Sequence, residues 1–348
     1  MSVNSLSANT CRYRPGLRHW HPLLASRALG RNPIARTLAG ERLVLFRTAG
    51  GRAAAVAETC PHRRMSLAAG RVRGDQLVCT YHGWSFDPEG AIRCPLMPSQ
   101  ALRHQAYQVR EAHGLIWIRK SEPSTSPDPA SQVPDLNPPL PSWDTGGLAL
   151  AGVAFHTVPA PLELTLDNFT ETEHTTTIHQ VFGFVDPAQV ELRLNLEPAA
   201  TRVWNSGPQK PFPRLFDAFI DIRPRDRFAN DWVSTFTPPL TVYEQTWRHG
   251  ERLRRFRLRV VMFFLPITTT TTQLTTLLYT PRVLPGPLHR WLAAPIARAI
   301  TARELDLDVK ALARLADLNP ELSPRSLGPF DRVLLENRKR IAALYLGG

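Results

Sequence analysis

Two short segments near residues 60 and 80 each combine one cysteine with one histidine. Cys60 and His62 are separated by one residue. After sixteen intervening residues come Cys79 and His82, which are separated by two. Two thiolates and two imidazoles can hold a structural zinc ion or an iron–sulfur cluster. Zinc sites usually place two or more residues between paired ligands, so the Cys-x-His pair argues against zinc. One mixed pair per loop favours a [2Fe–2S] cluster with two cysteines on one iron and two histidines on the other.

A second polar segment, "LDNFTETEHTTTIHQVFG" at 166–183, contains His174 and His179. Residues five apart lie about 140° apart on a regular α-helix, so the two imidazoles can share a metal only if the helix ends or bulges between them. The β-branched residues of "HTTTIH" permit such an irregularity. Asn168, Glu171 and His174 follow i, i+3, i+6 and can form one polar stripe. From these residues alone, a solvated stripe is favoured over a metal site.

A predicted late helix, "TARELDLDVKALARLADL", offers two aspartates that compete as a third metal ligand. At 100° per residue its apolar face comprises Leu305, Val309, Leu312, Leu315 and Ala316. Asp308 lies beside this face, and a carboxylate on the buried side of a helix must be paired or bind a metal. Asp306 is better explained as an exposed i, i+4 partner of Lys310. We therefore favour Asp308 and keep Asp306 as the alternative.

The cysteine–histidine loops resemble those of a known family. "CPHRRMSLAAG" and "CTYHGWSFDPEG" resemble the two cluster-binding loops of Rieske domains, and "WHPLL" and "GERLVLFRTAGGR" resemble the start of Rieske non-haem iron oxygenases. The resemblance covers nearly the whole chain. It implies that Cys60, His62, Cys79 and His82 hold one [2Fe–2S] cluster.

The same resemblance changes the interpretation of the polar segment. Asn168, Glu171, His174 and His179 match the family pattern Asn-x-x-acid-x-x-His-x4-His position by position. This implies that His174 and His179 bind a mononuclear Fe(II), with a late carboxylate, expected to be Asp308, as the third ligand. Two histidines and one carboxylate on one face of the iron leave positions open for substrate and O2 as co-substrate.

Glu171 departs from the commoner family pattern, which has aspartate at this position. The resemblance implies that this residue bridges a Rieske histidine of one subunit and an iron-ligating histidine of its neighbour, within a head-to-tail homotrimer. Glutamate is one methylene longer, so the bridge needs a different spacing. The alternatives are that Glu173 forms the bridge, or that neither residue does.

Composition separates a strand-rich region, a proline-rich region and a region of mixed strands and helices, and together with the resemblance this predicts an α+β protein in four parts. These are an N-terminal arm (1–18), a Rieske β-domain (19–120), a proline-rich linker (121–147) and a catalytic iron domain (148–348). The resemblance implies that the last part is a curved antiparallel sheet with helices, of the helix-grip or START-like type. We expect strands at 253–265 and 268–280, broken at Pro266, and helices over the last 60 residues.

The net charge and the composition limit the classes of partner, the location and the disulfide content that we expect. The 348 residues carry a formal net charge of +12, but the arginines are spread along the chain, so we expect no nucleic-acid partner. The sequence has no apolar run of 18 or more residues and no secretory signal in its first 20, so we expect no membrane span and a cytoplasmic location. Four cysteines are too few for a disulfide scaffold.

The expected activity is that of a terminal oxygenase. The chain has no Gly-rich dinucleotide fingerprint, so electrons from NAD(P)H must arrive through a separate reductase, a ferredoxin or both. We expect hydroxylation or demethylation of an aromatic or alicyclic small molecule. Oxidative cyclisation, desaturation and arene dioxygenation by the same site remain open. The rival from another class is a Rieske electron carrier whose second domain has lost catalysis.

Overall fold

The chain divides into two compact units. The computed structural model describes residues 11–120, 147–211, 222–223, 225–282, 291, 293–321, 328 and 330–347. The first unit takes the described residues within Met1–Leu140, Leu265–Thr269 and Tyr345–Gly348, and the second takes those within Pro141–Phe264 and Thr270–Leu344. The predicted linker, except for Gly147, and the first ten residues of the predicted arm lie outside the described residues.

The first unit is built from two antiparallel sheets. Its strands are β1 His21–Ala25, β2 Ile34–Leu38, β3 Glu41–Arg47, β4 Ala53–Ala57, β5 Arg71–Arg73, β6 Gln76–Val78, β7 Ser85–Phe86, β8 Ala91–Cys94, β9 Met97–Arg103, β10 Ala106–Ala112 and β11 Leu115–Lys120. One sheet has the order β1-β11-β10-β4-β3-β2 and the other has the order β5-β6-β7-β8-β9. The predicted strands in "ERLVLFRTAGGRAAAVAE" and "HGLIWIRK" are confirmed as β3, β4 and β11.

The core of this unit lies between the two sheets. Val44 and Val56 from one sheet pack in a single buried cluster with Phe86 from the other, and Cys60 and Cys79 belong to the same cluster. The two cysteine-bearing loops are therefore anchored in the hydrophobic core, where packing fixes their positions.

The second unit combines a seven-stranded sheet with three α-helices among the described residues. Its elements are β12 Leu148–Val158, α1 Leu162–Phe169, β13 Glu191–Leu196, β14 Thr201–Pro208, β15 Arg227–Phe236, β16 Pro239–His249, β17 Arg252–Thr268, β18 Thr271–Pro281, α2 Ala294–Leu312 and α3 Asp331–Ile341. The strand order is β12-β18-β17-β16-β15-β14-β13. Helix α2 packs on β12 and α1 packs against α2. The predicted α+β class is confirmed.

Two predicted boundaries are wrong. Strand β17 is not broken at Pro266 but continues to Thr268. Its pairing with β16 ends at Phe263, so the missing N–H of Pro266 breaks no hydrogen bond to that strand.

The late helix is also shorter than its apolar pattern predicts. Helix α2 ends at Leu312, so Leu315 and Ala316 lie beyond it, and Leu315 is exposed. The segment that follows forms turns, because the Asp317 carboxylate accepts a hydrogen bond from the Asn319 N–H at 2.8 Å.

No described helix is long and apolar enough to cross a membrane, and all four cysteines are free thiols.

Candidate active site

The two histidines of the polar segment follow the end of a helix. Helix α1 ends at Phe169, and the Thr170 hydroxyl donates to the Leu166 carbonyl at 2.8 Å. A short 3₁₀ helix, Glu173–Thr176, then carries His174, and the chain turns again before His179. The α-helix thus ends before both histidines rather than between them, and it is the 3₁₀ helix that ends between His174 and His179.

Three side-chain atoms converge beside α2. His174 Nε2 lies 3.2 Å from His179 Nε2, and Asp308 Oδ1 lies 3.4 Å and 3.2 Å from the two nitrogens, respectively. Three ligand atoms at right angles around a first-row metal, each ~2.1 Å from it, are ~3.0 Å apart. The observed triangle is slightly wider, so the donor set fits an ion bound on one face, with the opposite face free for other ligands.

The two candidate aspartates of α2 differ in burial. The Asp308 side chain is 1% exposed, whereas the Asp306 side chain is 58% exposed. The predicted ion pair between Asp306 and Lys310 is wrong: within the described residues, the basic group nearest to Asp306 is His156 Nε2 at 3.9 Å. Because β12 packs against α2, it brings His156 to this side of the helix.

Asn168 and Glu171 both contact members of the triangle. Asn168 Nδ2 donates to Asp308 Oδ1 at 3.2 Å, and Glu171 Oε1 is hydrogen-bonded to His174 Nδ1. Glu171 Oε2 also accepts from the Glu173 N–H. The predicted single helical stripe is wrong because α1 ends between Asn168 and Glu171. Tertiary folding brings these residues together instead.

Sequence reasoning missed Glu304. Its carboxylate is 4% exposed and lies 3.1 Å from His179 Nδ1. The same carboxylate accepts backbone N–H groups from Gln180, Val181 and Phe182 at 3.0–3.2 Å. The signal was its position four residues before Asp308, which places both carboxylates on one side of α2.

The carboxylates around His179 favour positive charge at that ring. Burial alone lowers the pKa of His179, but hydrogen bonds with Asp308 and Glu304 and their negative charge outweigh burial and raise the pKa to about 9. The same charges favour a metal cation at this position.

Two further residues hold the histidine-bearing loop in place. Lys210 Nζ donates to the carbonyls of Thr175 at 3.1 Å, Thr176 at 2.8 Å and His179 at 2.5 Å. Gly183 approaches the loop so closely that a Cβ there would lie 2.3 Å from the Thr175 carbonyl oxygen. Sequence reasoning singled out neither residue.

A cavity opens beside the three converging atoms. It holds about 590 Å³ of empty space, including that at its open mouth. Apolar side chains form much of its wall, namely Phe169, Phe182, Trp232, Val260, Met262 and Leu305. The predicted lining by "DWVSTFTPPLTVYEQTW" and "RVVMFFLPI" is confirmed for β15, β16 and β17, but Asn230 and Gln245 add polar groups to this wall.

The cysteine–histidine loops of the first unit separate their side chains by depth. Cys60 and Cys79 are each 2% exposed, whereas His62 and His82 are exposed, with ring centroids 4.5 Å apart. Trp84 stacks on His62 with ring centroids 4.7 Å apart. Sulfur therefore lies inside and imidazole outside, an arrangement that suits a cluster with two thiolates on one iron and two imidazoles on the other.

Among the described residues, the only group of three or more metal-ligating side chains whose ligand atoms all lie within 4.8 Å of one another is His174, His179 and Asp308. The two cysteines and two histidines of the cluster loops in the first unit do not meet this 4.8 Å limit.

Comparison with known sequences identifies the first unit. Residues 19–107 match the family model of the Rieske [2Fe-2S] domain. The chain is 30% identical over 171 residues to the phthalate 4,5-dioxygenase oxygenase subunit of Pseudomonas putida, covering 47% of this chain and 37% of that one. It is 31% identical over 214 residues to the vanillate O-demethylase oxygenase subunit of Pseudomonas sp. (strain ATCC 19151), covering 58% and 61%. The matches therefore span only part of each relative's length.

Comparison with solved structures extends the likeness to both units. The crystal structure of dicamba monooxygenase bound to dicamba matches 95% of this chain and 97% of its own, with a TM-score of 0.67 at 18% identity. At this identity the match establishes the fold: a Rieske β-domain and a second, sheet-rich domain.

Proposed function

We propose that this chain, which belongs to the Rieske non-haem iron oxygenase family, is the terminal oxygenase component of an electron-transfer system. The observation that carries the proposal is the convergence of His174, His179 and Asp308 in the same chain as the Rieske loops. An electron carrier alone has no use for a second, mononuclear metal site beside a cavity.

The two metal sites use different residues. Cys60, His62, Cys79 and His82 would hold one [2Fe–2S] cluster, and His174, His179 and Asp308 would hold one Fe(II). When bound, the cluster supplies single electrons and the iron activates O2 for attack on an organic substrate.

The surrounding residues orient the ligands and shield the site. Glu171 and Glu304 accept the outer N–H groups of His174 and His179, which keeps the inner nitrogens free of protons for the metal. Asn168 donates to Asp308 and fixes its carboxylate. The apolar cavity wall limits water around the bound substrate.

Electrons reach this chain from outside. We propose a separate NAD(P)H-dependent reductase, a ferredoxin or both as donor, and a cytoplasmic location where that reductant is made. Within a homotrimer, Glu171 would carry the coupling from the cluster of one subunit to the iron of its neighbour. The contact between Glu171 and His174 supports the iron-side half of this bridge.

The substrate is an aromatic or alicyclic small molecule. The mixture of aromatic and aliphatic side chains in the cavity wall suits a flat ring. The two relatives are named for phthalate and for vanillate, which are both aromatic. Hydroxylation or demethylation is the reaction that we favour.

Iron content tests the proposal against the electron-carrier alternative. Chemical analysis of the purified chain should find about three irons and two acid-labile sulfides, since the two ligand sets require two cluster irons and one further iron. With a surrogate reductase and a substrate panel, NAD(P)H use should match product formed. Two irons per chain, with no O2 consumption under any reductant, would refute the oxygenase assignment.

A further inference from the structure

Three amide side chains form one row across the sheet of the second unit. Asn205 in β14 is paired with Asn230 in β15, which is paired in turn with Gln245 in β16. Directly opposed residues of antiparallel strands project from the same face of a sheet. Trp232, two residues beyond Asn230, shares that face. We refer to Asn205, Asn230 and Gln245 as the amide row.

These groups are buried without hydrogen-bond partners among the described residues. The atoms concerned are both amide atoms of Asn205, Oδ1 of Asn230, Oε1 of Gln245 and Nε1 of Trp232. Gln245 is 8% exposed, Trp232 is 1% exposed and Asn205 is fully buried. Each buried polar group without a partner destabilises a protein by about 1–3 kcal/mol, so native structures have few of them. Three of these four residues, Asn230, Trp232 and Gln245, border one cavity, which indicates a ligand that supplies their missing partners.

The cavity beside the iron-site residues is where that ligand would bind. Asn230, Trp232 and Gln245 all line it. We propose that these residues bind the polar head of the substrate, and that this head is a neutral amide, lactam or imide group. The proposal rests on the proposed function, because it takes this cavity as the substrate site.

Hydrogen-bond chemistry selects an amide-type head. The oxygens of Asn230 and Gln245 accept from an N–H group, and the indole N–H of Trp232 donates to a carbonyl. A lactam offers both groups side by side. The amide side chains can also rotate to exchange oxygen for nitrogen, so the row accommodates either orientation of the head.

Charge excludes an anionic head. The cavity lining has no lysine or arginine among the described residues, but it includes the carboxylates of Glu171, Glu304 and Asp308. An anionic head at the amide row would lie in the same cavity as these three carboxylates, whose negative charge repels it. A neutral head binds without this penalty.

The preference for one head group over another can be measured directly as a difference in ligand affinity. Isothermal titration calorimetry on the full-length, iron-loaded chain under nitrogen should compare 2-quinolone, N-methyl-2-quinolone and 2-naphthoate. We expect 2-quinolone to bind at least about tenfold more tightly than the N-methyl compound, which has lost its donor, and 2-naphthoate to bind most weakly. Equal or tighter binding of 2-naphthoate would overturn the proposal.

Substitution of Gln245 separates recognition from a structural role. Gln245→Met keeps the volume and removes the orphaned oxygen, so we expect about tenfold weaker 2-quinolone binding together with a higher Tm. A residue kept only for stability would lower the Tm instead. Asn195→Leu, an exposed amide on β13 of the same sheet, is the matched control and should leave affinity unchanged.

A second variant covers the case in which Gln245→Met fails to fold. Trp232→Phe removes the indole N–H and should weaken binding of both quinolones, because both keep the carbonyl. Wild-type affinity in either folded variant would refute the assignment.

The two proposals fail separately. Tighter binding of 2-quinolone than of the other two ligands, without any O2 consumption, would refute the oxygenase function but support the recognition site. Turnover of an anionic substrate that Gln245→Met does not change would support the oxygenase function and refute the recognition site.

Discussion

At the scale of single residues, the two site histidines are arranged in the same way. Each ring directs Nε2 towards the shared centre and Nδ1 to a carboxylate, Glu171 for His174 and Glu304 for His179. This arrangement selects one tautomer of each ring and orients it for a metal. The two carboxylates differ in exposure, since the Glu171 side chain is 16% exposed and the Glu304 side chain is 4% exposed. The less buried one is the residue to which we assign electron transfer.

Substitution of the two α2 aspartates tests the third ligand. Asp308→Asn should lower the iron content from about three to about two per chain, because an amide is a poor ligand for Fe(II), and should abolish product formation. The cluster absorption should remain. The neighbouring Asp306→Asn is the control and should retain about three irons, since that side chain is 58% exposed. The opposite pattern would assign the ligand to Asp306.

Glu304→Gln tests the orienting role of this carboxylate. The amide oxygen can still accept the backbone N–H groups of the loop, so we expect the fold to survive. Loss of the charge behind His179 should weaken mononuclear iron binding by about 10–100-fold, measured by competition with a chelator. Glu336→Gln on α3 should leave iron affinity unchanged, and wild-type affinity in Glu304→Gln would contradict the role.

At the scale of elements, the site depends on where a helix stops. The end of α1 at Phe169 releases the chain into the loop that brings His174 and His179 to one point. Lys210 and Gly183 then hold this loop, the first by three hydrogen bonds and the second by the absence of a side chain. The metal geometry is therefore a property of loop packing rather than of helical periodicity.

Gly183→Ala should disturb this loop. The added Cβ would lie 2.3 Å from the Thr175 carbonyl oxygen, so the backbone must move, which destabilises the fold by about 1–3 kcal/mol. We expect a lower Tm and loss of the mononuclear iron with the cluster retained. Gly30→Ala, where a Cβ meets nothing within 4 Å, is the matched control. Full iron content in Gly183→Ala would show that the loop is not tightly packed.

At the scale of the whole molecule, catalysis requires two metal centres to exchange electrons. The cluster residues belong to the first unit and the iron-site residues to the second. Under the proposed function, the link between them runs through Glu171 and across the subunits of a trimer. The iron-site end of that link is a hydrogen bond between the side chains of Glu171 and His174, so it can be removed without removing either metal.

Glu171→Gln should uncouple the two centres. We expect about three irons per chain and an unchanged cluster spectrum, with turnover reduced by at least about 100-fold, because only electron delivery to the iron is lost. Glu173→Gln is the matched control, since Glu173 was the alternative bridge, and should keep near-normal turnover. Normal coupled activity in Glu171→Gln, with loss in Glu173→Gln, would move the role to Glu173.

The sequence by itself determined the features that depend on short spacing. The paired cysteines and histidines, the polar segment at 166–183 and the strands around Gly50 and Gly51 are all local patterns. They are recognisable because the chemistry of a metal site, or the geometry of a tight turn, demands particular residue types a few positions apart.

Only the tertiary structure decided the rest. The helical pattern already favoured Asp308 over Asp306, but their side-chain exposures of 1% and 58% come from the packing of α2. Glu304 gained its role only when the loop after α1 folded against that helix. The amide row likewise depends on the register of β14, β15 and β16, which places residues 205, 230 and 245 side by side. Such contacts join positions far apart in the chain, and their partners are set by the packing of whole elements rather than by any local pattern.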